Sequence, residues 1–236
     1  MKSIIKKDSM SPASCEKKVY DTGTSCWKLF SLFYGALSNK RILDVGCGAG
    51  NLGEFLSQKN NECYGITISE EEAKLAKNRM VDVIVGDLEN ITEFPFPKNF
   101  FDVVIFGDVL EHLKEPSRVL DLIKFNLKPG ALLIASIPNV VNIVVRFKLL
   151  MGKFDYEKEG ILDNTHLRFF TFRTAKDLIS NAGYQVKEVK YTNWNWRFPK
   201  VIQKLISFYE WEIREHMTRR WPGLFATQFV IYATLQ

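Results

Sequence analysis

Arg41–Leu56 reads "RILDVGCGAGNLGEFL": an apolar, strand-like run, a turn punctuated by glycines, then a helix-like run. Two fingerprints overlap in the turn. Gly46, Gly48 and Gly50 make GxGxG, while Gly48, Gly50 and Gly53 make GxGxxG, the spacing of dinucleotide-binding loops. Glycines at a strand-to-helix junction let a ligand approach the backbone, because no Cβ intervenes, and aim amides and a helix start at it. A tight structural turn would use the same residues. Three features count against a pyrophosphate. Asp44 stands at the strand end, two residues before Gly46, where a carboxylate repels phosphate and attracts an ammonium or a sulfonium. Thr67, in "GITIS", occupies the place of the ribose-binding acid expected about 20 residues after the loop. A chain of 236 residues also leaves little room for a dehydrogenase's separate substrate domain.

Outward from this stretch, short β-rich runs alternate with amphipathic ones. Strands are expected at Arg41–Val45, Glu62–Ile66, Val83–Val85, Asp102–Phe106 and Ala131–Ser136, with helices at Leu52–Lys59, Glu70–Arg79 and Ser117–Asn126. Ser69 is a good N-cap, followed by Glu70, Glu71 and Glu72, which complement the helix dipole. A loop with a short extended piece follows at Leu162–Phe172, then a helix at Thr174–Ala182 stopped by Gly183, a strand in "YQVKEVKY", and a closing strand in "TQFVIYATLQ". Strands separated by helices predict an α/β, doubly wound, Rossmann-like, mostly parallel sheet covered on both faces. In such sheets ligands bind beyond the carboxyl ends of the strands.

The length suits one domain: residues 1–39 as an N-terminal helical cover, 40–138 as a cofactor-binding core, and 139–236 as an acceptor-side cap with the C-terminal strands. Hydrophobic residues at 46% and charged residues at 25% are an ordinary globular balance, and a net charge of +5 permits an anionic partner without indicating nucleic acid. Cys15, Cys26, Cys47 and Cys63 form no CxxC pair, and with three histidines no structural zinc or other metal is expected. Reduced thiols and an N-terminus without an apolar signal region point to the cytoplasm. The run "VVNIVVRFKLLM", Val140–Met151, is broken by Arg146 and Lys148 and falls short of the roughly 20 residues that span a bilayer.

"LDVGCGAG" resembles the first motif of class I S-adenosylmethionine-dependent methyltransferases, and "VIVGDLEN", "FDVVIFGDVLEHLKEP" and "LKPGALLIASIPN" resemble the later motifs in the same order. The resemblance is strong over Lys40–Pro138 and implies S-adenosyl-L-methionine as cofactor. It implies that Asp44, Gly46, Cys47, Gly48 and Gly50 surround the methionine portion and adjoining ribose. Asp87 would accept from the adenine amino group, beside the Leu88 backbone, and Phe106 and Gly107 would end the fourth strand under the sulfonium. Relatives commonly carry an acid where Thr67 stands, next to Ile68. Cyclopropane-forming lipid methyltransferases have a similar Thr with Gln five residues later, so Thr67 with Glu72 is expected to replace that acid. The resemblance further implies a final strand that pairs antiparallel at the sheet edge, completing seven strands.

Methyl transfer from a sulfonium needs alignment, exclusion of water and management of one proton. A hydroxyl acceptor needs a base, for which His112 in "DVLEHL" and His166 in "DNTHLRFF" are the candidates. Each has a plainer reading, His112 as a pocket-shaping residue and His166 as a substrate hydrogen bond or loop contact. Glu111 and Asp108 would orient either histidine or cap the helix, and His216, among arginines, belongs on the surface. "NTHLRFFTFRTAKDLISNAGY" and "WPGLFATQFVIYA" resemble small bacterial methyltransferases that accompany polysaccharide and lipopolysaccharide synthesis. The insertion Asn193–Trp221 adds basic and aromatic residues that suit a phosphate-bearing or lipid-linked acceptor, or simply a cover helix. The expected reaction is O-methylation of a sugar hydroxyl, without nucleic acid and with peripheral membrane contact as an option. N- or C-methylation of another metabolite and a non-catalytic cofactor-binding module are the competing readings.

Overall fold

The computed structural model describes residues 37–193 and 209–236. Most of the expected N-terminal cover and the part of the aromatic insertion holding Trp194, Trp196, Arg197, Phe198 and Phe208 lie outside the described residues.

The opening stretch folds as its pattern requires. Strand β1, Arg41–Val45, is buried from Ile42 onward and lies parallel between β2, Glu62–Thr67, and β4, Phe101–Gly107. Helix α1, Asn51–Ser57, follows the glycine turn, and α2, Glu70–Ala76, links β2 to β3, Asp82–Val85. Helix α3, Pro116–Leu122, and a short 3-10 turn at Ile123–Asn126 lead into β5, Leu127–Pro138. Then come α4, Ile143–Leu150, α5, Phe172–Asn181, β6, Tyr184–Thr192, α6, Glu210–Arg220, α7, Pro222–Phe225, and β7, Gln228–Leu235. The sheet runs β3-β2-β1-β4-β5-β7-β6.

Strand order reverses between β1 and β4. That switch point opens a crevice at the carboxyl ends, where ligands of doubly wound sheets sit. The glycine turn and Gly107 flank it. Alternation along each strand feeds two apolar layers. Leu43, Phe106, Leu120 and Ile179 pack on one face, and Ile42, Phe55, Ala76 and Met80 on the other, so helices cover both sides.

The expected boundaries shift in ways the packing explains. Ser69 caps α2 by accepting from the Glu72 amide at 3.2 Å, but the helix ends at Ala76, three residues short of Arg79. The Arg79 guanidinium instead reaches the Ala49 carbonyl at 2.9 Å and ties the end of α2 to the glycine turn. α4 arises inside the run read only for its membrane length. Asn142 caps it by accepting from the Val144 amide at 3.0 Å. Among the described residues no helix is long and apolar enough to cross a membrane.

The last strand corrects its expected place. β7 is antiparallel, but it lies between β5 and β6 rather than at the edge. Its residues Gln228–Ala233 are all buried, as a strand with neighbours on both sides requires. β6 carries exposed Gln185, Lys187 and Glu188 and takes the edge; polar edges resist pairing with another chain.

Candidate functional site

Gly46, Gly48 and Gly50 have φ of +77°, +51° and +81°, the left-handed region that side chains resist. A Cβ on Gly46 would stand 2.5 Å from Val109 Cγ2, so this glycine lets the turn pass beneath the segment after β4. Gly53 serves differently. A Cβ there would meet Met80 at 2.7 Å, so the third glycine of GxGxxG answers to packing between α1 and the end of α2. The amides of Gly46 and Cys47 both donate to the Ile66 carbonyl at 2.9 Å. They fasten the turn to β2 and are not left open for a pyrophosphate.

Asp44 is 4% exposed, and burial raises its carboxyl to about 7. A buried acid with no offsetting hydrogen bond or cation among the described residues is poised to take a positive ligand group. Cys47 turns its thiol into the core: a Cβ on Gly65 would lie 2.5 Å from its Sγ. Burial pushes that thiol's pKa far up, so Cys47 has only backbone to offer the crevice. Phe106 is fully buried likewise. Gly107 has nothing within 4 Å of where a Cβ would sit, which leaves space at the end of β4.

At the end of β2, Thr67 Oγ1 donates to Glu72 Oε2 at 3.2 Å, so the pair expected to stand in for one acid is in contact. Ile68 beside it is 71% exposed. Asp87 follows β3, and its carboxylate oxygens accept from the Glu89 amide at 2.9 Å and the Asn90 side-chain amide at 2.7 Å. The loop it starts is held by Arg118, whose guanidinium donates to the carbonyls of Leu88, Glu89 and Ile91 at 2.6–2.8 Å. No sequence signal flags Arg118, because its partners lie about 30 residues upstream.

His112 and His166 do come together. They line one cavity of about 310 Å³ with Gly46, Gly107, Asp108, Glu111, Asp163, Thr165 and Gln228, and their ring centroids are 4.8 Å apart. Thr67, Ile68, Glu72, Asp87 and Leu88 are not among its lining residues. The catalytic candidates therefore meet the glycine turn at one end of the crevice, and the β2 and β3 residues occupy the other.

The cavity walls come from distant parts of the chain. A one-turn 3-10 helix, Leu110–His112, follows β4, and the Glu111 carbonyl accepts the amides of Leu167 and Arg168, both at 2.9 Å, docking the 163–168 segment on it. His166 Nδ1 lies 3.1 Å from the Ile161 carbonyl. Burial, then the nearby His112, lowers the pKa of His166. His112 Nδ1 lies 3.2 Å from the Thr165 carbonyl. Asp108 adopts φ +55°, and its Oδ1 accepts from Ser136 Oγ at 2.7 Å and Gln228 Nε2 at 2.8 Å. Gln228, 120 residues away in sequence, and Asp163 were both missing from the expected site.

Glu111 is 1% exposed, and neither carboxylate oxygen has a hydrogen-bond partner among the described residues. Burial, reinforced by Asp108, holds its pKa well above the usual carboxylate range. Its nearer oxygen is 4.0 Å from His166 Nε2. Glu111, His112 and His166 offer donor atoms within 4.8 Å of one another.

A profile for the methyltransferase domain matches residues 27–189. Curated relatives include the ubiquinone biosynthesis O-methyltransferase of Xylella fastidiosa (strain 9a5c), 29% identical over 171 residues and covering 67% of each chain. That of Haemophilus ducreyi is 30% identical over 67% of this chain and 71% of its own. Among solved structures, a SAM dependent methyltransferase from Archaeoglobus fulgidus superposes with a TM-score of 0.59 at 19% identity, over 88% of this chain and 90% of the other. A putative methyltransferase from Bacillus halodurans C-125 gives 0.60 at 16%, over 89% and 98%.

Proposed function

The chain belongs to the methyltransferase-domain family and is an S-adenosylmethionine-dependent enzyme; from that premise we propose that it methylates a hydroxyl oxygen of a small, polyhydroxylated acceptor of the sugar type. The observation that carries this reading is the cavity wall, where two histidines, Asp108, Asp163, Thr165 and Gln228 surround a space that opens on the glycine turn. Such a lining, which also includes Pro138 and Ile161, offers a polyhydroxylated acceptor several polar groups with donor or acceptor capacity left over.

The chain's own residues fit the cofactor. Asp44 would take the ammonium of the methionine portion. Gly46, Cys47, Gly48 and Gly50 would present backbone to that portion and the ribose, whose hydroxyls Thr67 and Glu72 would meet. Asp87 has lone pairs left for the adenine amino group, with the Leu88 backbone and Ile68 beside the ring. Phe106 and Gly107 would form the floor at the reacting end. When bound, S-adenosylmethionine supplies a methyl carbon already activated by its sulfonium. His112 would accept the hydroxyl proton as the oxygen bonds to that carbon and the carbon–sulfur bond breaks, while His166 would hydrogen-bond the acceptor. General-base catalysis contributes roughly 10²–10⁴-fold.

A second acceptor class has its own support. The curated relatives are named for ubiquinone biosynthesis, which favours a phenolic hydroxyl. An amphiphilic or lipid-linked acceptor would suit the apolar and basic surface at α4, where Phe147, Leu150 and Met151 are exposed beside Arg146 and Lys153 in the sequence.

The test incubates the full chain with S-adenosylmethionine and a panel of sugar nucleotides, glycosides, catechols and amines, reading S-adenosylhomocysteine release. Turnover of sugar hydroxyls supports the first reading and turnover of catechols alone the second. Turnover of amines alone sinks both. His112→Ala is expected to lower kcat about a hundredfold; an unchanged kcat removes the base role.

A further inference from the structure

His112 Nδ1 faces two oxygens of one residue, the Thr165 carbonyl at 3.2 Å and the Thr165 hydroxyl at 3.1 Å. A carbonyl can only accept. The hydroxyl has one proton to give, and it is committed elsewhere: Thr165 Oγ1 donates to Asp163 Oδ1 at 2.6 Å. The same carboxylate oxygen accepts the Thr165 amide at 2.7 Å. With both neighbours acting as acceptors, Nδ1 must carry the ring proton, and the neutral imidazole keeps its lone pair on Nε2.

We propose that Asp163 is a positioning residue for methyl transfer: by holding the Thr165 hydroxyl proton away from Nδ1, it acts with the Thr165 carbonyl to keep His112 in the tautomer whose Nε2 accepts the proton of the acceptor hydroxyl. This rests on the reading of His112 as the base. The logic is that of a carboxylate orienting a catalytic imidazole, with a threonine hydroxyl between the two.

The surroundings make the device rigid. The 163–168 segment is docked on Glu111 through the Leu167 and Arg168 amides, and the His166 amide closes on the Asp163 carbonyl at 3.1 Å, so Thr165 cannot drift from the ring. Asp163 stays an acceptor. Burial alone would raise its pKa, but the hydrogen bonds from the Thr165 hydroxyl and amide outweigh burial and hold it below the ordinary range. A simple turn-forming role would need only the bond to the Thr165 amide. The bond to the hydroxyl keeps that proton from competing with the Nδ1 proton that the Thr165 carbonyl accepts.

Two readouts on the full-length enzyme test this: ¹⁵N spectra of the His112 ring, assigned with His112→Gln, and steady-state methyl transfer. The wild type is expected to show a protonated Nδ1 and a bare Nε2. Asp163→Ala leaves the hydroxyl proton free to compete at Nδ1 against the Thr165 carbonyl, so part of the ring population should move its proton to Nε2 and kcat should fall severalfold. Asp163→Asn keeps an acceptor oxygen for Thr165 and should restore both. The double variant Asp163→Ala/Thr165→Val has no hydroxyl proton to misdirect. It should regain the Nδ1–H tautomer and most of kcat, whereas a merely structural Asp163 makes the double variant no better than the single.

A wild-type ring protonated on Nε2, an Asp163→Ala enzyme with unchanged tautomer, or a double variant that recovers nothing overturns the proposal. The base assignment fails separately, if His112→Gln leaves kcat unchanged while the tautomer still follows Asp163.

Discussion

Asp44 is the side chain proposed to meet the ligand's ammonium. Its carboxyl titrates at about 7 because burial disfavours the anion, against about 4 in an unfolded chain. What this group lends the ligand-free protein is thus fully present below about pH 4 and lost as the pH rises through about 7, at most about 4 kcal/mol. A ligand ammonium beside the carboxylate reverses that penalty. The thermal shift produced by S-adenosylhomocysteine is therefore expected to grow between about pH 5.5 and pH 8, and Asp44→Asn should flatten the trend. Equal shifts at both pH values in the wild type would dissociate Asp44 from the ligand. Asp44 itself was legible in the sequence, since its place before the glycines is a matter of spacing. The tautomer of His112 was not: it depends on Thr165 and Asp163, about 50 residues away, and no spacing rule links the three.

Among the elements, α4 is held by a residue with two tasks. Asn142 caps the helix through Oδ1, and its Nδ2 donates to the Ala226 carbonyl at 2.8 Å. Asn139 Nδ2 donates to the same carbonyl, also at 2.8 Å. The connection after β5 is thereby pinned to the start of β7. Asn142→Asp keeps the cap acceptor and loses the buried donor, and it sets a carboxylate against a carbonyl. It is expected to destabilise the fold by about 2 kcal/mol, read as a fall in the thermal midpoint; an unchanged midpoint would show that the cap alone matters. β1, β2 and β4 were readable because strands covered on both faces are nearly continuous apolar runs. α4 escaped notice because its exposed side carries Phe147, Leu149 and Leu150, which blurs the apolar-to-polar contrast that marks a surface helix.

The whole molecule assembles the end of the crevice proposed for the acceptor only when β7 enters the sheet between β5 and β6. Gln228, at the start of that strand, then meets Asp108 at the end of β4, while the end proposed for the cofactor is built by β1, β2 and β3. The two ends should respond separately. Gln228→Ala is expected to leave S-adenosylhomocysteine affinity within about twofold and to raise acceptor KM about tenfold, by calorimetric titration and initial rates. A parallel loss of both would mean that Gln228 supports the crevice as a unit. The amino-acid sequence by itself determined the alternation of strands and helices, the glycine turn and the acid before it, because these follow from local periodicity and from backbone conformations that only certain residues adopt. The tertiary structure alone decided that β7 lies inside the sheet with β6 at its edge, and that Asp163, Thr165 and Gln228 join the two histidines, because strand order and contacts across 53 and 120 residues are fixed by packing the whole chain at once.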